Sequence, residues 1–405
     1  MAVAILALLL FVQREKLGEK FQHPVFKPVF ILLAYIVISL PLVEWPGSVI
    51  RNNLDPFVKA IVFLFFTALI VDTRKRLAWF VGIFVFCQLV RVLEPLYLNL
   101  TQGYWGSSTY LSTKEFANRL AGAPADVINP NELGFVIVTL IPFLHYLLWT
   151  GRWKLKIVYL VLMPLLLYAL ILTMSRGAFI ALVVVGFLIF KESRRKMALI
   201  AIAGIAVMLA FSVMTPVQKE RYLSIIDRDA EGGASAEGRI TGMIREFKLG
   251  LSRPVVGHGL GTTSEAKANK LGRRQASHNL YAELLIEIGI IGFAIFMAFL
   301  VRAFRQLKML QLEFGRNAQV EVSFYENLNK VLICLFWMYA VYSINYWGLS
   351  QYYWYLFGGL TIALGRLAML DKPASTNESN VITNTGESGR FTLAEKLRNG
   401  RHHFS

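Results

Sequence analysis

The sequence has only two cysteines and few charged residues for its 405-residue length. Cys87 and Cys334 both fall inside apolar stretches, so we interpret them as small hydrophobic side chains and not as a disulfide or a metal-ligand pair. Charged residues make up 17% of the chain, whereas hydrophobic residues make up 56%. Because a soluble domain of this size needs far more polar surface, the scarcity of charge excludes an ordinary soluble protein.

The sequence also lacks several signatures of ligand-binding sites. The glycine-rich run at 257–261 does not follow a predicted strand, which excludes a P-loop or dinucleotide site. No cluster of carboxylates resembles the Asp-rich site of metal-dependent transferases, and no internal repeat suggests a secondary transporter. The first residues carry no basic n-region, so a cleaved signal peptide is not expected.

The apolar residues instead form blocks that are long enough to cross a membrane. A hydrocarbon layer of about 30 Å needs roughly 17–25 residues of helix. The sequence predicts eleven spans, at 1–12, 28–43, 57–71, 77–98, 132–150, 155–174, 177–190, 197–215, 279–301, 328–347 and 352–370.

The net charge of +16 lies mainly in short connections between these blocks. Five of these connections are basic, and they fall on every second connection between the predicted spans. They therefore lie on one side of the membrane, which is the cytoplasmic side by the positive-inside rule. This explanation makes a nucleic-acid partner unnecessary, and we expect none. It also places the N-terminus outside, which suggests that one N-terminal span is missing from the sequence. The basic connections are at Arg14/Lys16/Lys20, Arg74/Lys75/Arg76, Arg152/Lys154/Lys156, Lys191/Arg194/Arg195/Lys196 and Arg302/Arg305/Lys308.

The predicted fold class is all-α: a polytopic transmembrane helical bundle of about eleven to twelve spans, with one large outside loop that contains helices. We expect an N-terminal transmembrane bundle over 1–215, the loop domain over 216–278, C-terminal transmembrane helices over 279–370, and a disordered cytoplasmic tail over 371–405.

The loop at 216–278 contains eleven Lys and Arg against seven Asp and Glu. Since an outside loop gains nothing topologically from basic residues, this surface suits an anionic ligand or lipid headgroups. A helix is predicted from about Arg239, and its apolar face lies either along the membrane surface or against the bundle. The residues of that face are Ile240, Met243, Ile244, Phe247 and Leu251.

Four ionisable residues lie near predicted membrane boundaries. Arg176 lies at the junction of two apolar blocks. It is either a functional candidate or a side chain that extends to the membrane–water interface. His278 is a proton acceptor or a structural donor, and Ser277 before it could cap the next helix. Glu283 and Glu287 lie i,i+4 on that helix and could bind a cation, relay protons or pair with arginines, so a transporter stays open.

A series of motifs then resembles the O-antigen ligase and polymerase superfamily over about 125–300. Each motif is weak alone, but their order around one large loop is specific. The motifs are Asn129-Pro130-Asn131-Glu132-Leu133-Gly134, Thr173-Met174-Ser175-Arg176-Gly177-Ala178, Gly238-Arg239, Arg253-Pro254-Val255-Val256-Gly257-His258-Gly259-Leu260-Gly261, Ser277-His278-Asn279, and Glu287-Ile288-Gly289-Ile290-Ile291-Gly292.

The resemblance implies a multi-pass glycosyltransferase of the bacterial inner membrane, with its active site facing the periplasm. It implies a donor glycan on undecaprenyl diphosphate and an acceptor that is lipid A–core oligosaccharide in ligases, another carrier-linked repeat in polymerases, or a protein hydroxyl. Membrane lipids are expected partners. The motif arginines correspond to Arg176 and Arg239 and the motif histidine to His278, with Asn279, Glu283, Arg253 and His258 as possible supporting residues. The family usually has about twelve spans and a cytoplasmic N-terminus.

The chemistry of such a transfer agrees with these residues. The leaving diphosphate gathers negative charge, which Arg176 and Arg239 could bind bidentately without a metal or other cofactor. His278 would accept the proton of the attacking hydroxyl, and attack opposite the leaving group would invert the anomeric centre. The alternatives are an O-antigen or exopolysaccharide polymerase, a lipid-linked glycan transporter, and a non-catalytic assembly partner.

Overall fold

The structure is a computed structural model that describes residues 18, 20–110, 116–223, 233–316, 323–346 and 348–371. Within these ranges, the side chains of residues 109, 110, 116, 220, 233–240, 316 and 323 lie outside the description. Residues up to Leu367 belong to one compact unit, and a second unit begins at Ala368.

The described chain is almost entirely helical, which confirms the predicted all-α class. One short antiparallel hairpin, β1 (Gly106–Tyr110) with β2 (Phe116–Leu120), interrupts the helices. The helices are α1 (Phe26–Ser39), α2 (Pro46–Ile70), α3 (Arg74–Gln102), α4 (Pro130–Trp149), α5 (Trp153–Thr173), α6 (Arg176–Glu192), α7 (Lys196–Val213), α8 (Pro216–Leu223), α9 (Gly233–Leu251), α10 (Thr263–Leu271), α11 (Leu280–Arg316), α12 (Ser323–Tyr342) and α13 (Tyr352–Leu370).

Seven of the described helices are long and apolar enough to cross a membrane: α2, α3, α4, α5, α7, α11 and α13. The predicted spans at 28–43 and 177–190 correspond to the shorter helices α1 and α6. The predicted span at 328–347 overlaps α12, whose first turns are polar. The span at 1–12 lies outside the described residues, so the number eleven stays a prediction.

The helices differ in how much of their surface the protein itself covers. No side chain of α7 is buried, whereas α4 buries most of its length, including Leu133, Ile137 and Leu140. Lipid tails solvate apolar side chains as well as a protein core does. The exposed Met208 and Leu209 of α7 therefore fit a lipid-facing helix.

The predicted span at 279–301 is broken within α11. Gly289 adopts φ 64° and ψ −170°, so the helix stops and restarts there. The main chain of the preceding loop bonds to both sides of the break: His258 N donates to Ile286 O at 2.7 Å, and Ile290 N donates to Pro254 O at 2.7 Å. Residue 289 must be glycine, because a Cβ would lie 2.3 Å from Val255 O.

The predicted loop helix is present as α9, and it packs against the first half of α11. Gly250 permits this contact, since an added Cβ would lie 2.8 Å from the Leu285 Cβ. The buried side is shifted from the face that the periodicity predicted: Met243 and Phe247 are partly buried and Leu249 is buried, whereas Ile244 and Leu251 are about half exposed. Between the two alternatives, the structure therefore favours packing against other helices.

Candidate active site

A cavity of about 300 Å³ lies beside His278, where α2, α10 and α11 meet the segment after α12. Its walls include hydroxyl, amide and carboxyl groups. The lining residues are Asn53, Pro56, Gly261, Thr263, Ser264, Ala276, Ser277, His278, Glu283, Glu287, Tyr346, Gly348, Ser350 and Gln351.

His278 lies at the exposed edge of this cavity, just before α11. Its Nε2 is 3.2 Å from Gln275 Nε2, and its ring stacks on the Tyr346 ring with centroids 6.2 Å apart and planes inclined by 15°. The stacking fixes the plane of the imidazole, and the residue is exposed. An imidazole held in this way can accept a proton from a group bound in the cavity.

Tyr346 is itself anchored by the start of α4. Its hydroxyl donates to Glu132 Oε1 at 2.6 Å and accepts from Asn129 Nδ2 at 2.7 Å. Asn129 and Glu132 also form the capping box of α4, so one motif begins a helix and positions the ring beneath His278.

The residues on either side of His278 hold its segment in place. The cap proposed for Ser277 is made by Asn279, whose Oδ1 accepts Ala282 N at 3.0 Å. Ser277 Oγ instead donates to Glu246 Oε2 at 2.7 Å. Glu246 also pairs with Lys267 at 2.6 Å, and both side chains are buried. This buried ion pair ties α9 and α10 to the residue that precedes His278.

Glu283 and Glu287 both line the cavity, as their i,i+4 spacing on one helix face predicts. Glu287 Oε1 accepts the Thr263 hydroxyl at 2.8 Å. The two carboxyl groups lie close enough to interact electrostatically. In the part of the chain that the structure describes, no group of three or more His, Cys, Asp or Glu forms a metal-binding set. The metal-free mechanism stays a prediction.

Arg176 begins α6 after a tight turn. Met174 adopts φ 51°, and Ser175 Oγ accepts Ala178 N at 3.3 Å as the helix cap. Two more arginines bind the carbonyls of this turn: Arg119 Nε donates to Thr173 O at 2.9 Å, and Arg221 Nε donates to Met174 O at 2.9 Å. Two guanidinium groups therefore lie against residues 173 and 174, immediately before Arg176. We call residues 173–176 the arginine turn, and the positive charge beside it suits an anion.

The arginine turn and the histidine are linked by two tyrosine rings. The Tyr342 Cε2 atom is 3.5 Å from the position of a Cβ at Gly177, next to Arg176. The Tyr342 and Tyr346 rings are 6.1 Å apart, and Tyr346 stacks on His278. Tyr342 also donates to Asn131 O at 2.7 Å, and Asn131 Oδ1 accepts from Arg119 NH2 at 2.9 Å.

The side chain of Arg239 lies outside the described residues, although its backbone belongs to α9. The predicted convergence of Arg176, Arg239 and His278 on one head group therefore stays a prediction.

Arg253 and His258, the other possible supporting residues, do not line the cavity. His258 is fully buried, bonds through Nδ1 to Glu44 and stacks on Trp45 at 5.6 Å. Arg253 donates to Leu42 O at 2.9 Å and lies 3.6 Å from the Glu44 carboxylate. Both residues join the loop before α10 to the chain between α1 and α2.

Sequence reasoning missed three side chains of this region. Arg119 and Arg221 lie in predicted loops, far along the chain from the turn that they bind. Tyr346 lies near the end of a predicted span. The sequence carried no direct signal for Arg119, because its burial (7% exposed), and therefore its need for partners, is visible only in the structure.

Comparison with known proteins bears on the same region. Residues 161–297 match the model of the family described as O-antigen ligase. No curated protein matches the chain. The matched segment runs from within α5 to within α11 and includes the arginine turn, His278, Glu283 and Glu287. Residues 161–297 are therefore similar to an O-antigen ligase domain, which supports placing this multi-pass membrane protein in the O-antigen ligase and polymerase superfamily.

Proposed function

We propose that the protein is a glycosyltransferase of the bacterial inner membrane, which moves a glycan from undecaprenyl diphosphate to an acceptor hydroxyl on the periplasmic side. We propose lipid A–core oligosaccharide as the acceptor. The observation that carries the proposal is the O-antigen ligase match over 161–297, because that segment contains Arg176, Arg239 and His278.

In this proposal, the donor diphosphate binds at the arginine turn. Its negative charge increases as the bond between the anomeric carbon and the phosphate oxygen breaks, so fixed guanidinium groups stabilise the transition state more than the ground state. Arg176 and Arg239 would bind the phosphates, and Arg119 and Arg221 support the role of Arg176 by holding residues 173 and 174.

The acceptor hydroxyl would enter from the cavity side. Its oxygen forms the new bond to the anomeric carbon while the diphosphate leaves from the opposite face, which inverts that centre. His278 accepts the hydroxyl proton and passes it to solvent or to the departing diphosphate. The stacked position of His278 over Tyr346 supports this role, since the ring is oriented before a substrate binds.

The second candidate is a polymerase, in which the acceptor is another carrier-linked repeat. The same domain match supports it, and the residues of the site would have the same roles. A transporter would instead move the lipid-linked glycan without forming a covalent bond, and a non-catalytic assembly partner would need its basic loop but not His278.

One reconstitution separates these functions. The purified protein is incubated with an undecaprenyl diphosphate glycan and either lipid A–core or a second carrier-linked repeat, with a chelator present. We expect glycosylated lipid A–core. Lengthened carrier-linked chains would select the polymerase, loss of activity in chelator would refute the metal-free mechanism, and no covalent product with either acceptor would refute a transferase.

Single substitutions then test the residues in their roles. We expect Arg176→Ala, Arg239→Ala and His278→Ala each to abolish transfer while the protein still inserts and stays folded in detergent. Arg152→Ala, which removes an exposed arginine before α5, is the matched control and should retain full activity. Full transfer by His278→Ala would remove the general-base role, and full transfer by Arg239→Ala would remove the bidentate clamp.

A further inference from the structure

The cavity beside His278 contains hydrogen-bond acceptors that the described protein does not satisfy. Glu283 Oε2 and Glu287 Oε2 are buried and meet no donor among the described residues. Glu287 is only 2% exposed and lines the cavity. A buried acceptor without a donor destabilises the protein. A ligand that brings hydroxyl or amine donors into this cavity would remove that destabilisation.

The charge of the cavity selects among such ligands. Its ionisable lining groups are the two carboxyls, the His278 imidazole and the Tyr346 phenol. Lys267, on the helix that supplies Thr263 and Ser264, is already paired with the buried Glu246. A carboxylate or phosphate brought into a poorly solvated space beside two carboxyl groups is disfavoured, because its charge would be desolvated with no cationic partner among these lining groups. The cavity therefore favours uncharged or amine-bearing ligands over carboxylates and phosphates.

The shape of the cavity suits a sugar residue. Its volume of about 300 Å³ is small for a ligand pocket, and the amides of Asn53 and Gln351 add further polar groups to its wall. Gly348 keeps the space beside Glu283 open, because a Cβ there would lie 2.8 Å from Glu283 Oε1. Gly261 approaches Asn53 in the same way, with a Cβ position 2.4 Å from the Asn53 Cβ.

We infer that this cavity binds the acceptor sugar residue that carries the attacking hydroxyl, that Glu283 and Glu287 accept hydrogen bonds from its hydroxyl or amine groups, and that it excludes anionic sugars. The inference rests on the proposed function and adds an acceptor class to it. The two substrates then meet surfaces of opposite charge, with the donor diphosphate at the arginine turn and an uncharged or cationic sugar at the carboxyls.

Binding of three methyl glycosides tests the inference without any transfer reaction. Methyl glucoside, methyl glucosaminide and methyl glucuronide share one ring and differ in charge. Their dissociation constants for the full-length protein in detergent can be measured by saturation-transfer NMR. We expect the glucoside and the glucosaminide to bind, and the glucuronide to bind at least tenfold more weakly. Equal binding of the glucuronide and the glucoside would overturn the inference.

Variants locate the binding. In Glu283→Gln, the new amide can donate to Glu287 and satisfy it internally, so binding of the glucoside should weaken at least fivefold. Glu94→Gln, which removes an exposed carboxylate of α3, should leave binding unchanged. If Glu283→Gln binds the glucoside as tightly as the unaltered protein, the carboxyls do not form the sugar site.

Steady-state transfer separates this inference from the proposed function. Glu283→Gln should raise the acceptor KM and leave the donor KM unchanged. Absence of any transfer by the unaltered protein, with the glycoside selectivity intact, would refute the transferase and leave the sugar site. Normal transfer together with equal use of neutral and anionic acceptors would refute the sugar site and leave the transferase.

Discussion

The arginine turn and the carboxylate cavity use their charged side chains in opposite ways. At residues 173–176, Arg119 and Arg221 donate to main-chain carbonyls and so fix the conformation around Arg176. In the cavity, Glu283 and Glu287 each keep one buried oxygen that no described residue satisfies. The hydrogen bonds of the arginine turn hold its main chain in one conformation, whereas the cavity leaves two acceptor oxygens for a ligand. In the first region the protein itself supplies the hydrogen-bond partners, and in the second region a bound ligand would supply them.

The largest expected effect concerns the break in α11 at Gly289, two residues after the cavity residue Glu287. Gly289→Ala forces a side chain into a left-handed conformation, with its Cβ 2.3 Å from Val255 O. We expect a loss of about 3 kcal/mol or more in stability, measured as a lower thermal midpoint and a lower yield of monodisperse protein.

Gly204→Ala in α7 is the control for that substitution, because nothing lies within 4 Å of the added Cβ. It should leave the thermal midpoint unchanged or raise it slightly, since alanine favours helix. A Gly289→Ala protein as stable as Gly204→Ala would show that the break is not required for the fold.

The second prediction tests the rigidity of the arginine turn. Arg119→Lys keeps the charge but cannot donate to both Thr173 O and Asn131 Oδ1 with the geometry of a guanidinium. We expect transfer to fall by roughly tenfold, which corresponds to about 1.4 kcal/mol. Arg152→Lys, at an exposed position, should have no effect. If both variants were fully active, positive charge alone would explain the role of Arg119.

The smallest effect is expected at Tyr346, whose ring stacks on His278 between the arginine turn and the cavity. Tyr346→Phe keeps the stacked ring and removes the hydroxyl that binds Glu132 and Asn129. We expect kcat to fall by about fivefold, or about 1 kcal/mol, with both KM values and the thermal midpoint unchanged. Tyr97→Phe, at an exposed tyrosine, is the matched control. A change in KM alone would place Tyr346 in substrate binding and not in positioning His278.

The motifs of the sequence predicted parts of this arrangement. The Asn129–Glu132 motif also forms a capping box, which was not predicted although its residue types and spacing carry that signal. The i,i+4 spacing put Glu283 and Glu287 on one face, and both line the cavity. The link from this capping box to Tyr346 could not be predicted, because it joins residues more than two hundred positions apart.

Hydrophobic periodicity did not predict two features that depend on tertiary contacts: the buried face of α9 and the break in α11. The predicted apolar face of α9 included Ile244 and Leu251, which are exposed, because the contact with α11 is made through Gly250 and its neighbours. The predicted continuous span at 279–301 is broken at Gly289, since the loop at 254–259 supplies the hydrogen bonds that replace helical ones. The partner of α9 is α11, and the partner of the 279–301 segment is the loop at 254–259. Each partner lies outside the stretch of sequence whose periodicity was used for the prediction.

The sequence by itself determined that the chain is helical and embedded in a membrane, because the hydrocarbon layer requires long apolar blocks with internally bonded backbones. It also determined which residue types stand at the helix ends. Only the tertiary structure decided which distant side chains meet: Arg119 and Arg221 at one turn, and Tyr346 under His278. The physical reason is that hydrogen bonds and ring contacts depend on distance in space, whereas hydrophobic periodicity reports only on neighbours along the chain.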